Sequence, residues 1–319
     1  MCFSAMVTMD LKTLMRCWEA YVDAGGWENL YRRRAEGENL LIAKAMDANF
    51  YNPTSAVEER IKGYIEQYNR EQTKKCEAAL FVQKKRLADA ERALSVKETE
   101  KALNDQRIST NKIEWNLRRL NTLQRTELKP SDSRIFPDWY VPVFAMDGGK
   151  YVIKPMRYKC RLNGKPESYD TKYPGTYNAR RDNLEGFWKG VFGKQHGFFI
   201  ATAFFENVKL HDYEKRALRP DEKPENVVLH FNPQPAAPMF LACLWDRWQS
   251  PGKPDLLSFS AITDEPPAEV ASAGHDRCVI PLQVKNVDAW MKPAGKDKAA
   301  LYSLLDDRER PYYENQIAA

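Results

Sequence analysis

Between Pro53 and Pro130 the chain carries no proline and a single glycine, Gly63. Those two residue types interrupt helices, so a stretch this long without them, and this rich in charge, predicts helix and not strand. Leu80, Leu87 and Leu94 fall at heptad spacing, with Cys76 and Ala90 on the adjoining stripe, which suggests a coiled-coil-like packing seam. Asn111 and Glu114 have the spacing of a capping box and predict a second helix through Ile113, Leu117 and Leu120. The expectation is a long helical hairpin over residues 54–128. Residues 58–129 hold 17 Lys/Arg against 12 Asp/Glu, an excess equal to the net charge of +5 of the whole 319-residue chain. A charge-rich helix usually presents a solvated face; an arm that contacts DNA or a protein partner is the functional alternative.

The flanking sequence has a different character. Residues 3–9 predict a strand, and Asp10 then caps a helix through Leu11, Leu14, Trp18 and Tyr21 that Gly25-Gly26 would end. Beyond Pro130, residues 135–144 and 151–158 form strand-like runs joined by Gly148-Gly149, a hairpin signature, with prolines expected only at strand ends or edges. Further strands are predicted at 198–208, 239–245, 257–263 and 278–282, and a short helix from Val284 to Met291. Many short strands with few helices between them define an antiparallel, sheet-rich α+β core built from residues 1–30 and 134–319.

Composition excludes more than it selects. No run of 18 apolar residues exists and the N-terminus lacks a basic segment followed by an apolar one, so neither export nor a membrane span is expected. The six cysteines, at 2, 17, 76, 160, 243 and 278, form no C-x-x-C pair; this speaks against a disulfide framework or zinc knuckle and fits a reducing, cytoplasmic setting. No metal set and no cofactor motif can be assembled. The mild positive charge permits a phosphate partner without requiring one.

The chemistry concentrates at the N-terminus. Removal of Met1 would leave Cys2 with a free α-amine beside its thiol. The two titrate near about 8 and 8.5, so both supply nucleophile at neutral pH. Such a 1,2-aminothiol captures an aldehyde as a Schiff base and closes it to a thiazolidine. While Met1 remains, that amine is locked in a peptide bond. Downstream stand Tyr177-Asn178-Ala179-Arg180, then Gln195-His196-Gly197, then Phe204-Phe205-Glu206, then His275-Asp276-Arg277.

In this order the segments resemble the SRAP (SOS response associated peptidase) family, whose pattern is Met-Cys, Asn-Ala-Arg, a Glu closing an aromatic-rich strand, and His-Asp-Arg. The resemblance covers residues 1 to about 30 and about 134 to 295. It implies a barrel-like core that shields abasic sites in single-stranded DNA by covalent crosslinking through Cys2. It further implies abasic-site lyase activity, self-removal of Met1, and a helical hairpin inserted between the first helix and the second strand. Carried over residue by residue, Glu206 assists Schiff-base formation, His275 ring opening and crosslink reversal, Asn178 holds the amine or the sugar, and Arg180 and Arg277 contact DNA. Read from the residues alone, Glu206 is equally a surface carboxylate, His275 a turn residue and Asn178-Ala-Arg180 a plain turn. His196 reads as structural; Phe187, Trp188, Trp245 and Trp248 read as core before base-stacking.

The departures are specific. Phe3-Ser4 stands where the family has Gly-Arg, which removes a basic residue beside Cys2, and Asn207 stands where it has Trp. Two other classes stay open: an N-terminal-nucleophile amidohydrolase, and a catalytically idle protein whose hairpin recruits a partner.

Overall fold

In the computed structural model, which describes residues 3–318, the chain divides into two compact units. One comprises the residues up to Leu30, Leu40–Asn52 and everything from Lys129 onward; the other comprises Tyr31–Asn39 and Pro53–Leu128.

The first strand, β1 (Ser4–Val7), leads into helix α1 (Leu11–Trp18), whose N-cap Asp10 accepts hydrogen bonds from the backbone N–H groups of Lys12 and Thr13. Glu19 takes a left-handed conformation (φ 47°) and stops this helix three residues earlier than expected. Tyr21 falls instead in β2 (Tyr21–Val22). Gly25-Gly26 does not end a helix either; it opens α2 (Ala24–Ala35). The Asp23 carboxylate accepts from the Gly26 N–H, and a Cβ on Gly26 would stand only 2.5 Å from an Asp23 oxygen. The glycine is therefore selected by the close approach of a helix cap. Next come β3 (Leu41–Ile42) and α3 (Lys44–Asp47), so the hairpin follows two helices and two short strands beyond α1.

The second unit is dominated by the antiparallel pair α4 (Ala56–Val96) and α5 (Glu100–Gln124). Ser55 caps α4 and Thr99 caps α5. Asn111 and Glu114 thus lie inside α5, not at its start; Thr99, directly before an acidic first turn, is the better cap. Cys76, Leu80 and Ala90 are buried along α4, facing a seam of Ala102, Ser109 and Asn116 at heptad spacing on α5. Ser109 and Asn116 turn their polar groups back onto carbonyls of their own helix. That satisfies buried donors without a cross-helix partner.

The remaining elements of the first unit are β4 (Arg134–Ile135), β5 (Trp139–Asp147), β6 (Lys150–Tyr158), α6 (Tyr169–Lys172), β7 (Asn178–Arg180), β8 (His196–Lys209), α7 (Leu210–Tyr213), β9 (Asn226–Gln234), β10 (Met239–Trp248), β11 (Leu256–Asp264), α8 (Ala268–Ser272), β12 (Cys278–Val279), β13 (Pro281–Leu282), α9 (Val284–Met291), α10 (Lys298–Asp306) and β14 (Tyr312–Ile317). Five of the strands close into a barrel: β5–β6, β5–β8, β8–β10 and β10–β11 pair antiparallel, and β6–β11 pairs parallel to complete the ring. The fold is α+β, as expected, with further strands at the barrel's margins and the long helical pair.

Gly148-Gly149 makes the β5–β6 turn with positive φ at both positions (56° and 79°). Pro142 and Pro155, expected at strand ends or edges, face each other in mid-hairpin at locally unpaired edges. On their outer flanks β5 changes partner from β3 to β8 between Tyr140 and Phe144, and β6 from β2 to β11 between Ile153 and Arg157. Neither proline interrupts a ladder, because each stands where no outer partner is bonded. The core holds stacked Phe144 and Phe198, 4.4 Å between ring centres, against Trp18 of α1; Phe199 packs with Tyr158 and Phe259.

Candidate active site

Strand β8 is the spine of the site. Its start is locked by His196, whose Nδ1 lies 2.9 Å from the Trp290 carbonyl and whose Nε2 accepts from the Gly193 N–H at 2.8 Å. Both ring nitrogens are engaged, the ring stacks on Trp290 at 3.8 Å, and burial pulls its pKa down to about 3. The residue is structural. Gly197 follows because a Cβ there would stand 2.8 Å from the Phe144 carbonyl oxygen.

Ten residues on, the strand delivers Glu206 into the interior, with no exposed surface. Burial holds its carboxyl well above the usual carboxylate range, against a smaller opposing stabilisation from the Phe3 backbone N–H. His275 arrives from the turn between α8 and β12, where Gly274 (φ +93°) reverses the chain. The His275 Nδ1 is 2.9 Å from the Arg277 carbonyl oxygen, and its Nε2 is 3.2 Å from Glu206 Oε2. Burial lowers the imidazole's pKa as it raises the carboxyl's. The same Nδ1 lies 3.3 Å from the Arg277 backbone nitrogen. Where Nδ1 carries the proton and donates to the carbonyl, the neutral ring turns its Nε2 lone pair to Glu206, and the acid form of Glu206 donates to it. The arrangement is a dry acid–base pair able to give a proton and take it back.

Asn178 is buried on β7, opposite Ala261 of β11. Among the described residues neither its Nδ2 nor its Oδ1 has a hydrogen-bond partner. A buried amide without partners is expensive, and points to a group not present here. Arg180 is half-exposed and held by Asp182 through Nε and Nη2, at 3.2 and 2.7 Å. Arg277 is mostly covered, 3.7 Å from the exposed Asp276 carboxylate, and its carbonyl orients His275. Cys2 lies outside the described residues. Trp188 and Trp248 are core, and Trp245 donates to the His196 carbonyl.

A basic residue stands beside Ser4 that spacing does not reveal. Arg134 of β4 donates from Nε to Ser4 Oγ at 3.1 Å, across 130 residues of sequence.

The sequence matches the family described as SOS response associated peptidase (SRAP) over residues 91–317, and the chain belongs to that family. Membership places it among proteins associated with DNA damage, with DNA as the fitting class of partner and an enzymatic role as the fitting class of function. The match begins within α4 and does not reach Met1-Cys2. Among solved structures the chain is similar to a protein from Bordetella bronchiseptica (16% identity, TM-score 0.46, covering 61% of this chain and 90% of that one). It is similar also to a protein from Bacteroides thetaiotaomicron (14%, 0.44, 56% and 74%) and to a phage-related protein from Bordetella bronchiseptica (16%, 0.43, 58% and 80%). No curated protein matches it significantly. Among the described residues no helix is long and apolar enough to cross a membrane, and no three His, Cys, Asp or Glu side chains group to hold a metal ion.

Proposed function

We propose that this chain captures the ring-opened aldehyde of an abasic site in single-stranded DNA through Cys2. After Met1 is cleaved off by self-processing, the Cys2 amine adds to the aldehyde carbon to give a carbinolamine. Loss of water gives a Schiff base. The Cys2 thiol then adds to the imine carbon, its proton passing to the nitrogen, and a thiazolidine closes. Loss of water needs a proton donor that can recover its proton. The observation that carries the reading is the buried Glu206–His275 contact of 3.2 Å, one residue past Phe205, which pairs with Ser4 near the chain's start. In this role Glu206 gives the proton to the leaving hydroxyl, and His275 serves ring opening and the reverse reaction. Asn178 offers its unpaired amide to the amine or the sugar. Arg180 and Arg277 serve the DNA backbone. The same Schiff base acidifies the neighbouring sugar C–H, which opens a route to strand cleavage by β-elimination.

The test is incubation with uracil-glycosylase-treated single-stranded DNA followed by a denaturing gel. A heat-stable band of protein plus DNA is expected, together with an intact mass lacking Met1. Absence of any adduct from protein shown to lack Met1 would overturn the proposal.

A further inference from the structure

Arg134 is a half-buried cation without a counter-ion among the described residues. It stands at the start of β4 opposite Met6 of β1, and among the described residues no carboxylate lies within ion-pair range of it. Its guanidinium lies over the Phe205 ring, 3.6 Å from the centre, and 5.0 Å from the centre of Phe136. Nε is used by Ser4 Oγ, which fixes the direction of the planar group. His230, stacked on Phe205 at 4.4 Å, adds no second positive charge, since burial and Arg134 itself favour the neutral imidazole. Nearly every other arginine this well covered in the first unit is matched: Arg157 and Arg161 meet Asp170, and Arg308 meets Asp264. A chain so rich in carboxylates that leaves this guanidinium uncompensated keeps its remaining N–H groups for an anion from outside.

The surroundings specify the anion. Phe3, Phe136 and Trp139 are all part-exposed and form a chain of ring contacts, 5.7 Å from Phe3 to Phe136 and 6.0 Å from Phe136 to Trp139. A planar fork for phosphate beside accessible aromatic faces is the pairing by which proteins hold single-stranded nucleic acid. The place is also right. β1 pairs with β8 as far as Phe205, under Arg134; Glu206 is the next residue and points to the opposite face. The two groups flank the start of β1 from its two sides.

We propose that Arg134 is a phosphate-binding residue that seats single-stranded DNA across the start of β1, with Phe136 as the adjoining stacking surface. This deepens the reading above but concerns binding, so undamaged DNA tests it separately. The experiment measures the affinity of the full chain for an undamaged single-stranded oligonucleotide by fluorescence anisotropy over a series of salt concentrations. Arg134→Gln is expected to bind about tenfold more weakly, the worth of one charge-assisted hydrogen bond. The slope of log affinity against log salt is expected to fall by about one phosphate contact. Arg134→Lys, which keeps the charge and loses the fork, is expected to keep the slope and lose part of the affinity, and it replaces the Gln variant if that one does not fold. Phe136→Leu is expected to weaken binding with the slope intact. Equal affinity and slope in wild type, Arg134→Gln and Arg134→Lys would overturn the proposal whether or not the wild type crosslinks abasic DNA. A wild type that binds through Arg134 yet forms no adduct would sink the crosslinking reading alone.

Discussion

Glu206 Oε2 and His275 Nε2 stand 3.2 Å apart in a buried site, where desolvation raises the carboxyl's pKa and lowers the imidazole's, so one proton can serve both. Glu206→Gln keeps the shape and removes the transferable proton. Adduct formation is expected to slow by about 10²–10⁴, the usual range for a general acid–base group, while the melting temperature holds or rises. The raised carboxyl pKa also fixes a direction. The acid form is populated below that pKa, so the wild-type rate of the dehydration step declines as pH rises through it, and the Gln variant loses that limb. His275→Ala is expected to slow crosslink reversal at least as much as formation. Identical rates and pH profiles in all three proteins would show that the roles are assigned wrongly.

In the proposed reaction Cys2, once Met1 is removed, supplies two nucleophiles, and they separate by substitution. Cys2→Ser keeps the α-amine, so a Schiff base trappable by borohydride is expected, but no heat-stable adduct without reductant. A stable adduct of undiminished yield in Cys2→Ser rules out the thiazolidine.

Glu206 and His275 were named by their place in the family order of motifs; read from the residues alone they were a surface carboxylate and a turn residue, because burial of a carboxylate and its meeting with a distant histidine leave no mark on local sequence. Arg134 was not named, because its partners Ser4 and Phe205 come from strands 130 and 71 residues away, and pairing register leaves no mark on local spacing. The hairpin was plain from the absence of Pro and Gly, yet its second helix begins at Glu100, since a mid-helix Asn-x-x-Glu mimics a cap. Gly25-Gly26 misled for the converse reason: it makes room for the Asp23 cap. β9 and β14, which pair along the whole of β14, were missed although Val227, Leu229 and Phe231 alternate; α10 gave no distinct signal.

Asn178 is buried with both polar atoms unpartnered among the described residues, a cost of about 1–3 kcal/mol to the free protein. Asn178→Leu, with the same branching and heavy-atom count and without polar atoms, is expected to raise the melting temperature or leave it unchanged while slowing adduct formation. A variant that melts lower and reacts at the wild-type rate would show the amide to be structural.

His196 makes a stability prediction independent of chemistry. Its pKa is near 6.5 when unfolded and about 3 in the fold, so the unfolded chain binds the extra proton between those values. Its contribution is therefore complete above about pH 6.5 and is lost as pH falls toward 3, by about 1.4 kcal/mol per unit. His196→Gln is expected to melt well below wild type at pH 7.5, with the gap narrowing at pH 6 and again at pH 5. A gap independent of pH excludes the neutral, doubly bonded imidazole.

The hairpin is expected to be dispensable for the covalent step. It carries nearly all of the chain's charge excess, and Cys2, Asn178, Glu206 and His275 all lie outside it. Replacing residues 54–128 by a short Gly/Ser linker is expected to leave a folded core, because closure entropy depends only weakly on loop length. Two outcomes then separate its uses. If its lysines and arginines meet DNA, affinity drops and its salt dependence flattens, since fewer counter-ions are released. If its exposed Phe81 and Trp115 belong to a protein partner, DNA affinity and salt slope stay at the wild-type values. Crosslinking at saturating abasic DNA should survive in both cases. A shortened protein that folds, binds DNA and still forms no adduct would make the hairpin part of the active site.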